Sequence, residues 1–301
     1  MDSKIYDIKF VDEVPDNVED ENVLLLRKVA LDTVGTTSGS VWVKAYGKNR
    51  NGQTALYKPI DYDEPLGAQA ELISSHFYKL CFAGISVRIP EINLVGSKHD
   101  LGLLSYRVHD KTSEDFIHID YLMHYKYTDK EISKFYTLGI KDVLECIKAE
   151  VPDDDNYKEI EKAVVMVACG DAFTNNADRH GKNWALVRNK DTNYYELAIF
   201  DNVKSFINIL FNRTGYANDA LWSIGYLGLN SSHNISTGKN IVNAIKKEYP
   251  EYVDEFIERF NSVRKQFCED IKDVYEVDYK RIKGFFSKKS MCFNKEMEMD
   301  W

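Results

Sequence analysis

The chain has 301 residues, of which 44% are hydrophobic and 29% are charged, and its formal net charge at pH 7 is -9. This length exceeds one typical domain but is short for two independent ones, so a two-lobed globular unit is expected. The excess of carboxylates, with no dense run of Lys and Arg, argues against nucleic acid as a partner.

The sequence predicts no membrane span, no cleaved signal peptide and no cysteine framework. No stretch approaches the roughly 18 apolar residues of a membrane span, and residues 1–12 lack the apolar core of a signal peptide. A cytoplasmic protein without integral membrane association is therefore expected, with export by a dedicated or non-classical route left open. The five cysteines lie far apart, so they predict neither a disulfide framework nor a zinc site.

The first part of the chain is rich in predicted strands. Residues 24–34 form the first, and the small residues 35–40 form a turn before residues 41–46, which alternate with period two. Asn51-Gly52 predicts a hairpin turn, after which residues 54–60 return as the third strand. These segments together predict a three-stranded meander.

A helix is predicted from Pro65 to Gly84, because apolar residues repeat there at intervals of three and four. Two more strands are expected at residues 91–95 and 102–108, joined by a turn at residues 96–100. We expect the second of these strands to connect two lobes.

The second part is mainly helical. Apolar periodicity predicts several amphipathic helices, the last of which is long and lies near the C-terminus. Two short strands are predicted after the third of these helices. The predicted helices cover residues 132–138, 140–147, 157–173 and 253–271, and the strands cover residues 184–187 and 195–200. Asp153 to Asp155 is interpreted as a solvated connection, and residues 202–232 as irregular. The predicted class is α+β, a bilobal protein-kinase-like fold with a strand-rich N-lobe (1–110) and a mainly helical C-lobe (111–301).

The most informative motif is the run from Asp178 to Asn183, Asp-Arg-His-Gly-Lys-Asn, together with Asp201 at the end of a predicted strand. An acid, an amide five residues later and a second acid are the groups that phosphoryl transfer from ATP requires. Asp178 is the predicted catalytic residue, which orients the acceptor hydroxyl. Asn183 and Asp201 are the predicted Mg²⁺ ligands, because magnesium needs few protein oxygens beside phosphate and water.

The N-terminal part supplies candidates for binding ATP. Lys58 shares a strand face with apolar neighbours, where an ammonium group needs an anionic partner such as phosphate or Glu71 of the following helix. Backbone groups of Tyr106 and Val108 are expected to meet adenine. His180 either lines the nucleotide site or is a structural imidazole. The small-residue turn is expected to contact the phosphates through Thr36, Thr37, Ser38, Gly39 and Ser40.

Each of these residues also has a simpler explanation. Lys58 taken alone is an edge lysine, Glu71 a surface charge, and the turn an ordinary hairpin loop. Asp178 and Asp201 taken alone are caps of local turns. The order of strand lysine, helix glutamate, Asp-x-x-x-x-Asn and strand-end Asp favours a kinase, because four independent coincidences would otherwise be needed.

At these residues the chain resembles the HipA-like serine/threonine kinases. The resemblance rests on Lys58 in Ala-Leu-Tyr-Lys-Pro, on the Asp178 to Asn183 motif and on Phe200-Asp201. It implies a bilobal kinase fold, ATP and Mg²⁺ as cofactors, and transfer to Ser or Thr of a protein substrate, with autophosphorylation included. The family's toxins carry a longer N-terminal portion and act beside an antitoxin. This chain has too few residues before Gly35 for that portion, so an antitoxin partner is not expected.

Two alternatives remain open at this stage. The Asp-Arg-His-x-x-Asn run also resembles the catalytic loop of phosphoinositide-type lipid kinases, although an acidic chain without a basic cluster is poorly suited to a membrane surface. A catalytically inactive nucleotide-binding scaffold is the other alternative. The complete set of Lys58, Asp178, Asn183 and Asp201 argues against it.

Overall fold

The computed structural model contains two β-sheets and five α-helices among the residues that it describes. These are residues 6–14, 20–29, 40–48, 50–60, 65–96, 101–128, 140–174, 176, 179, 181–202, 205 and 245–272. The strands are β1 (Tyr6–Phe10), β2 (Val23–Lys28), β3 (Val41–Gly47), β4 (Arg50–Pro59), β5 (Val87–Arg88), β6 (Ile92–Gly96), β7 (Leu101–Tyr106), β8 (Glu114–His118), β9 (Trp184–Asn189) and β10 (Tyr195–Ile199). The helices are α1 (Pro65–Cys81), α2 (Ile119–His124), α3 (Ile140–Glu150), α4 (Asp154–Thr174) and α5 (Pro250–Lys272).

The first sheet is a closed barrel with strand order β1-β2-β3-β4-β7-β6. The period-two pattern of β3 and β4 places Val43, Ala45, Ala55 and Tyr57 in the barrel core. Residues between them in the sequence therefore point to the other face. Lys58 lies on that second face, as its apolar strand pattern predicted. β1 was not predicted, and β2 ends at Lys28, before the predicted end at residue 34.

The β3–β4 hairpin corrects one predicted turn. Gly47 pairs with Arg50, so the turn precedes Arg50 and does not lie at Asn51-Gly52. Asn51 pairs with Tyr46, and the register shifts beside this pair. Gly52 has φ of +70°, which its lack of a Cβ allows. It therefore serves a bulge inside β4.

Helix α1 begins at Pro65 as predicted and ends at Cys81, three residues before Gly84. Its buried residues Phe77 and Tyr78 pack into the large helical core with α4 and α5. Phe77 contacts Phe260 and Phe267 of α5 edge to face. The helix therefore joins the barrel to the helical part of the molecule.

The second sheet has the order β5-β10-β9-β8. The predicted strands at residues 184–187 and 195–200 are confirmed as the antiparallel pair β9 and β10. Neither β5 nor β8 was predicted. Strand β5 lies within residues 1–110 yet pairs with β10. The predicted lobe boundary at residue 110 stays a prediction. The predicted mixture of α-helices and β-strands is confirmed.

The helical predictions are confirmed for α3, α4 and α5. Helix α4 begins at Asp154, so Asp154 and Asp155 belong to its first turn and not to the predicted connection, while all three aspartates are exposed as predicted. Asp153 caps this helix, since the Asn156 N–H donates to its Oδ1 at 2.7 Å. The predicted helix at residues 132–138 and nearly all of residues 202–232 lie outside the described residues. No helix in the described ranges is both long and apolar enough to cross a membrane.

Candidate nucleotide and metal site

Lys58 of β4 connects the two sheets through its ammonium group. Its Nζ lies 3.0 Å from both carboxylate oxygens of Glu71 in α1 and 3.0 Å from Oδ1 of Asp201 after β10. The Glu71 side chain is fully buried, and that of Asp201 is 37% exposed. The structure therefore brings together three of the predicted site residues, from three separate elements.

The electrostatics keep this lysine charged. Burial alone would lower the pKa of Lys58, but the carboxylates of Glu71 and Asp201 raise it overall. Burial raises the pKa of Glu71, an effect that the Lys58 ammonium group opposes. One positive and two negative groups leave a net charge of -1 when all three are ionised. Such a site is suited to a divalent cation as well as to the phosphates that Lys58 would bind.

The position of Asp201 depends on its backbone conformation as well as on its contact with Lys58. Its φ of 56° lies in the left-handed region, which Asp tolerates better than most residues. The next residue, Asn202, is buried, and its carbonyl accepts a hydrogen bond of 3.3 Å from Ser74 Oγ of α1. Helix α1 thus supports both the partner of Lys58 and the backbone that follows Asp201.

Asn183 and Asp201 lie at the same end of the β9–β10 hairpin. The last strand pair joins Trp184 to Ile199, and beyond it the Phe200 N–H donates to the Asn183 carbonyl at 3.1 Å. One amide oxygen and one carboxylate fit the oxygen preference of Mg²⁺. Within the described ranges, no group of three or more His, Cys, Asp and Glu is arranged to hold a metal. A metal bound here would therefore complete its coordination with phosphate and water oxygens.

Arg179 holds both segments that carry the predicted metal ligands. Its Nη1 donates to the carbonyls of Asn183 and Phe200 at 3.0 and 3.2 Å, and its Nη2 donates to the Asn202 side chain. Asp171 of α4 accepts from Nε and Nη2 at 2.9 and 3.0 Å. The Arg179 and Asp171 side chains are both fully buried. The sequence reasoning gave Arg179 no role, although its place inside the motif was a usable signal.

The same network extends further into the helical core. The Tyr78 hydroxyl of α1 donates to Asp171 Oδ1 at 2.6 Å, and Asn176 Nδ2 donates to the same oxygen at 3.0 Å. Every contact satisfies a buried polar group. The buried Asp171 carboxylate therefore orients Arg179 from a fixed position on α4.

Gly181 allows the motif to approach α2 closely. A Cβ on Gly181 would lie 2.7 Å from the backbone N and Cα of Asp120, and the Asp120 N–H donates to the Gly181 carbonyl at 2.9 Å. No other residue fits here without displacing backbone. This contact fixes the motif against the start of α2.

The predicted adenine contacts lie at the end of β7 and just beyond it. The Tyr106 N–H donates to the Glu91 carbonyl at 2.9 Å, and the Tyr106 side chain lies in the barrel core. Strand β7 ends at Tyr106, so Val108 lies beyond it, and its carbonyl accepts a hydrogen bond of 3.0 Å from Arg88 Nη1. The Tyr106 N–H therefore already has a partner within the protein.

Arg107 and Trp42 lie on the barrel face that carries Lys58. Trp42 pairs with Leu56, and the Arg107 N–H donates to the Thr54 carbonyl, so alternation places these side chains on the face of Leu56 and Lys58. The Arg107 guanidinium lies 4.7 Å from the Trp42 ring centroid. The sequence reasoning did not select either residue.

Several predicted site residues lie outside the described part of the chain. Ser40 is described, and it directly precedes β3. The others are Thr36, Thr37, Ser38, Gly39, Asp178 and His180. Their predicted roles in catalysis and nucleotide binding stay predictions.

Comparison with solved structures found two proteins with a similar fold. The crystal structure of the Helicobacter pylori proinflammatory kinase CtkA matches with a TM-score of 0.55 and 15% identity, covering 88% of this chain and 96% of that chain. The fold of this chain is similar to that of this kinase. A Shewanella oneidensis MR-1 toxin–antitoxin complex of HipA, HipB and operator DNA matches with a TM-score of 0.50 and 11% identity. That match covers 86% of this chain and 64% of the other chain. The aligned region is therefore less than two thirds of the other chain.

The resemblance drawn from the motifs is thus confirmed at the level of the fold. No family model matches the sequence, and no curated protein matches it either. The sequence identities are low, so the two structures show a shared fold and leave the chemistry to be argued from the residues of this chain.

Proposed function

We propose that this chain is an ATP- and Mg²⁺-dependent serine/threonine protein kinase of HipA-like type that also phosphorylates itself. The observation that carries the proposal is Lys58, held between the buried Glu71 and the strand-end Asp201 at 3.0 Å from each. A lysine fixed in this way presents a point charge to phosphate oxygens. The fold shared with CtkA supports the same assignment.

The roles follow from where the side chains lie. Lys58 binds phosphate oxygens of ATP, and Glu71 holds the lysine in position. Asn183 and Asp201 hold Mg²⁺, which neutralises the charge that develops on the transferred phosphoryl group. Arg179 fixes the backbone on either side of these two ligands. Asp178 orients the acceptor hydroxyl and takes its proton.

Adenine is assigned to the segment after β7. Among the described residues no partner meets the Val108 N–H, whereas the Tyr106 N–H is bonded to Glu91. We therefore keep Val108 as the proposed backbone contact to the base. The proposed acceptor is a Ser or Thr hydroxyl of a protein.

Incubation with labelled ATP and Mg²⁺ tests this function, using the full chain, a generic protein substrate and phosphoinositide vesicles side by side. Label on Ser or Thr of protein, located by mass spectrometry and lost in Asp178→Ala, is the expected result. Label on lipid would identify a lipid kinase. Nucleotide binding without any transfer would identify an inactive scaffold.

A further inference from the structure

Arg88 of β5 lies at the centre of a charged cluster that the proposed chemistry does not use. Its Nε donates to Glu196 of β10 at 2.8 Å, and its Nη1 and Nη2 donate to Glu114 of β8 at 2.9 and 2.7 Å. A second bond joins Nη2 to Glu196, and Nη1 also donates to the Val108 carbonyl at 3.0 Å. These contacts match the five N–H donors of a guanidinium group.

Glu114 extends the cluster to the residues after Val108. The Asp110 N–H donates to Glu114 Oε2 at 2.7 Å, and the Glu114 N–H donates to the Asp110 carbonyl at 2.8 Å. Between these points, the ring of His109 stacks on Phe116 of β8 with centroids 4.4 Å apart. Val108 and His109 are therefore each fixed to the second sheet by one contact, and Asp110 by two.

Arg88 and Glu114 remain ionised at neutral pH. Hydrogen bonds from Arg88 hold the pKa of Glu114 below its usual range, with burial opposing. Burial alone would lower the pKa of Arg88, but its hydrogen bonds to Glu114 and Glu196 raise it overall. The side chains of Arg88 and Glu114 are 25% and 11% exposed, so water screens them only in part.

A second contact links this segment to the metal side of the site. Phe116 lies 5.6 Å from the ring centroid of Phe200, the residue before Asp201. The Phe116 ring therefore contacts both His109, which follows Val108, and Phe200, which precedes Asp201.

We propose that Arg88 is a positioning residue. It sets the backbone of residues 106–110 so that this segment binds the base of the nucleotide while Lys58 binds its phosphates. This inference rests on the proposed function. The two carboxylates fix the guanidinium, and the guanidinium fixes the Val108 carbonyl. A segment held in its bound geometry before the ligand arrives loses less entropy on binding.

The test compares Arg88→Gln with the unaltered chain and with Arg188→Gln. Arg188 of β9 pairs with Asp115 of β8 in the same sheet, so its variant removes a similar ion pair away from residues 106–110. Calorimetry measures the dissociation constants of Mg-ATP and of Mg-tripolyphosphate, which carries the phosphates without the base. Steady-state kinetics then separates KM for ATP from kcat.

Arg88→Gln should weaken Mg-ATP binding by about tenfold and raise KM for ATP, with little change in kcat or in tripolyphosphate binding. Arg188→Gln should change none of these quantities. Unchanged Mg-ATP affinity in Arg88→Gln, or an equal loss for both ligands, would overturn the inference. If Arg88→Gln does not fold by circular dichroism, Arg88→Lys has to show the same ATP-selective loss. Absence of Mg-ATP binding by the unaltered chain would overturn the proposed function itself, and the inference with it.

Discussion

Lys58 Nζ lies 3.0 Å from Asp201 Oδ1, although the two residues are 143 positions apart in the chain. The contact joins the barrel to the end of the β9–β10 hairpin. Because Glu71 holds the same ammonium group from the other side, the lysine is shared between two carboxylates. A bound nucleotide would have to compete for this lysine, while Mg²⁺ would compensate the charge of Asp201.

The Glu71→Gln variant tests the anchoring of Lys58. We expect kcat/KM for phosphotransfer to fall by about 100-fold, because a lysine without its carboxylate partner is misplaced relative to the phosphates. Stability should change little, since Lys58 keeps the Asp201 carboxylate as a partner and the amide of Gln can still accept a hydrogen bond. Glu91→Gln is the matched control, because Glu91 pairs with Arg50 in an exposed position. Full activity in Glu71→Gln would contradict the role given to Glu71.

The Asp201→Ala variant tests the metal site. Removal of this carboxylate should weaken Mg²⁺-dependent nucleotide binding and lower phosphotransfer by about 100-fold or more. Asp191→Ala, in the turn at the opposite end of the same hairpin, should leave both quantities unchanged. Titration calorimetry with and without Mg²⁺ provides the measurement. An unchanged affinity for Mg-ATP in Asp201→Ala would exclude Asp201 as a ligand.

The buried pair of Arg179 and Asp171 should dominate the stability of the region around the motif. Asp171→Ala leaves a buried guanidinium group without its carboxylate, so we expect the free energy of unfolding to fall by about 3–5 kcal/mol. Tyr78→Phe removes only one neutral donor to Asp171 and should cost about 1 kcal/mol. Urea denaturation of both variants provides the comparison. Equal losses of unfolding free energy in the two variants would show that the Arg179–Asp171 ion pair contributes no more than the hydrogen bond from Tyr78.

His109 should make stability depend on pH. Burial lowers its pKa from 6.5 to about 4, Arg107 adds to this shift, and Glu114 opposes it. The unfolded chain therefore binds more protons than the folded chain between these pH values, so stability falls as the pH decreases from 6.5 towards 4. After a discount for partial exposure, this contribution is about 1–2 kcal/mol.

His109→Phe keeps the stacking on Phe116 and removes the titrating group. The difference in melting temperature between pH 7 and pH 4.5 should consequently be smaller in this variant than in the unaltered chain. His76 and His118, whose pKa values are also lowered by burial, are common to both proteins and do not affect the comparison. An identical pH dependence in the two proteins would refute the assignment to His109.

The sequence by itself determined the local elements and the chemical groups of the site. Alternation placed Lys58 on one strand face with apolar neighbours, and the spacing of apolar residues predicted α1, which carries Glu71. Such patterns are readable because they depend on neighbours within a few residues. The order of lysine, glutamate and the Asp178 to Asn183 motif was sufficient to predict a kinase-like fold.

Only the tertiary structure decided which distant residues meet. The contacts of Lys58 with Asp201 and of Arg179 with Asp171 leave no periodic signal in the chain. Strands β5 and β8 were missed for a similar reason, since they are short and are defined by pairing with β10 and β9. The Arg88 cluster likewise draws on three strands that lie far apart in the sequence. Contacts of this kind depend on how the whole chain packs, and a local pattern does not encode that packing.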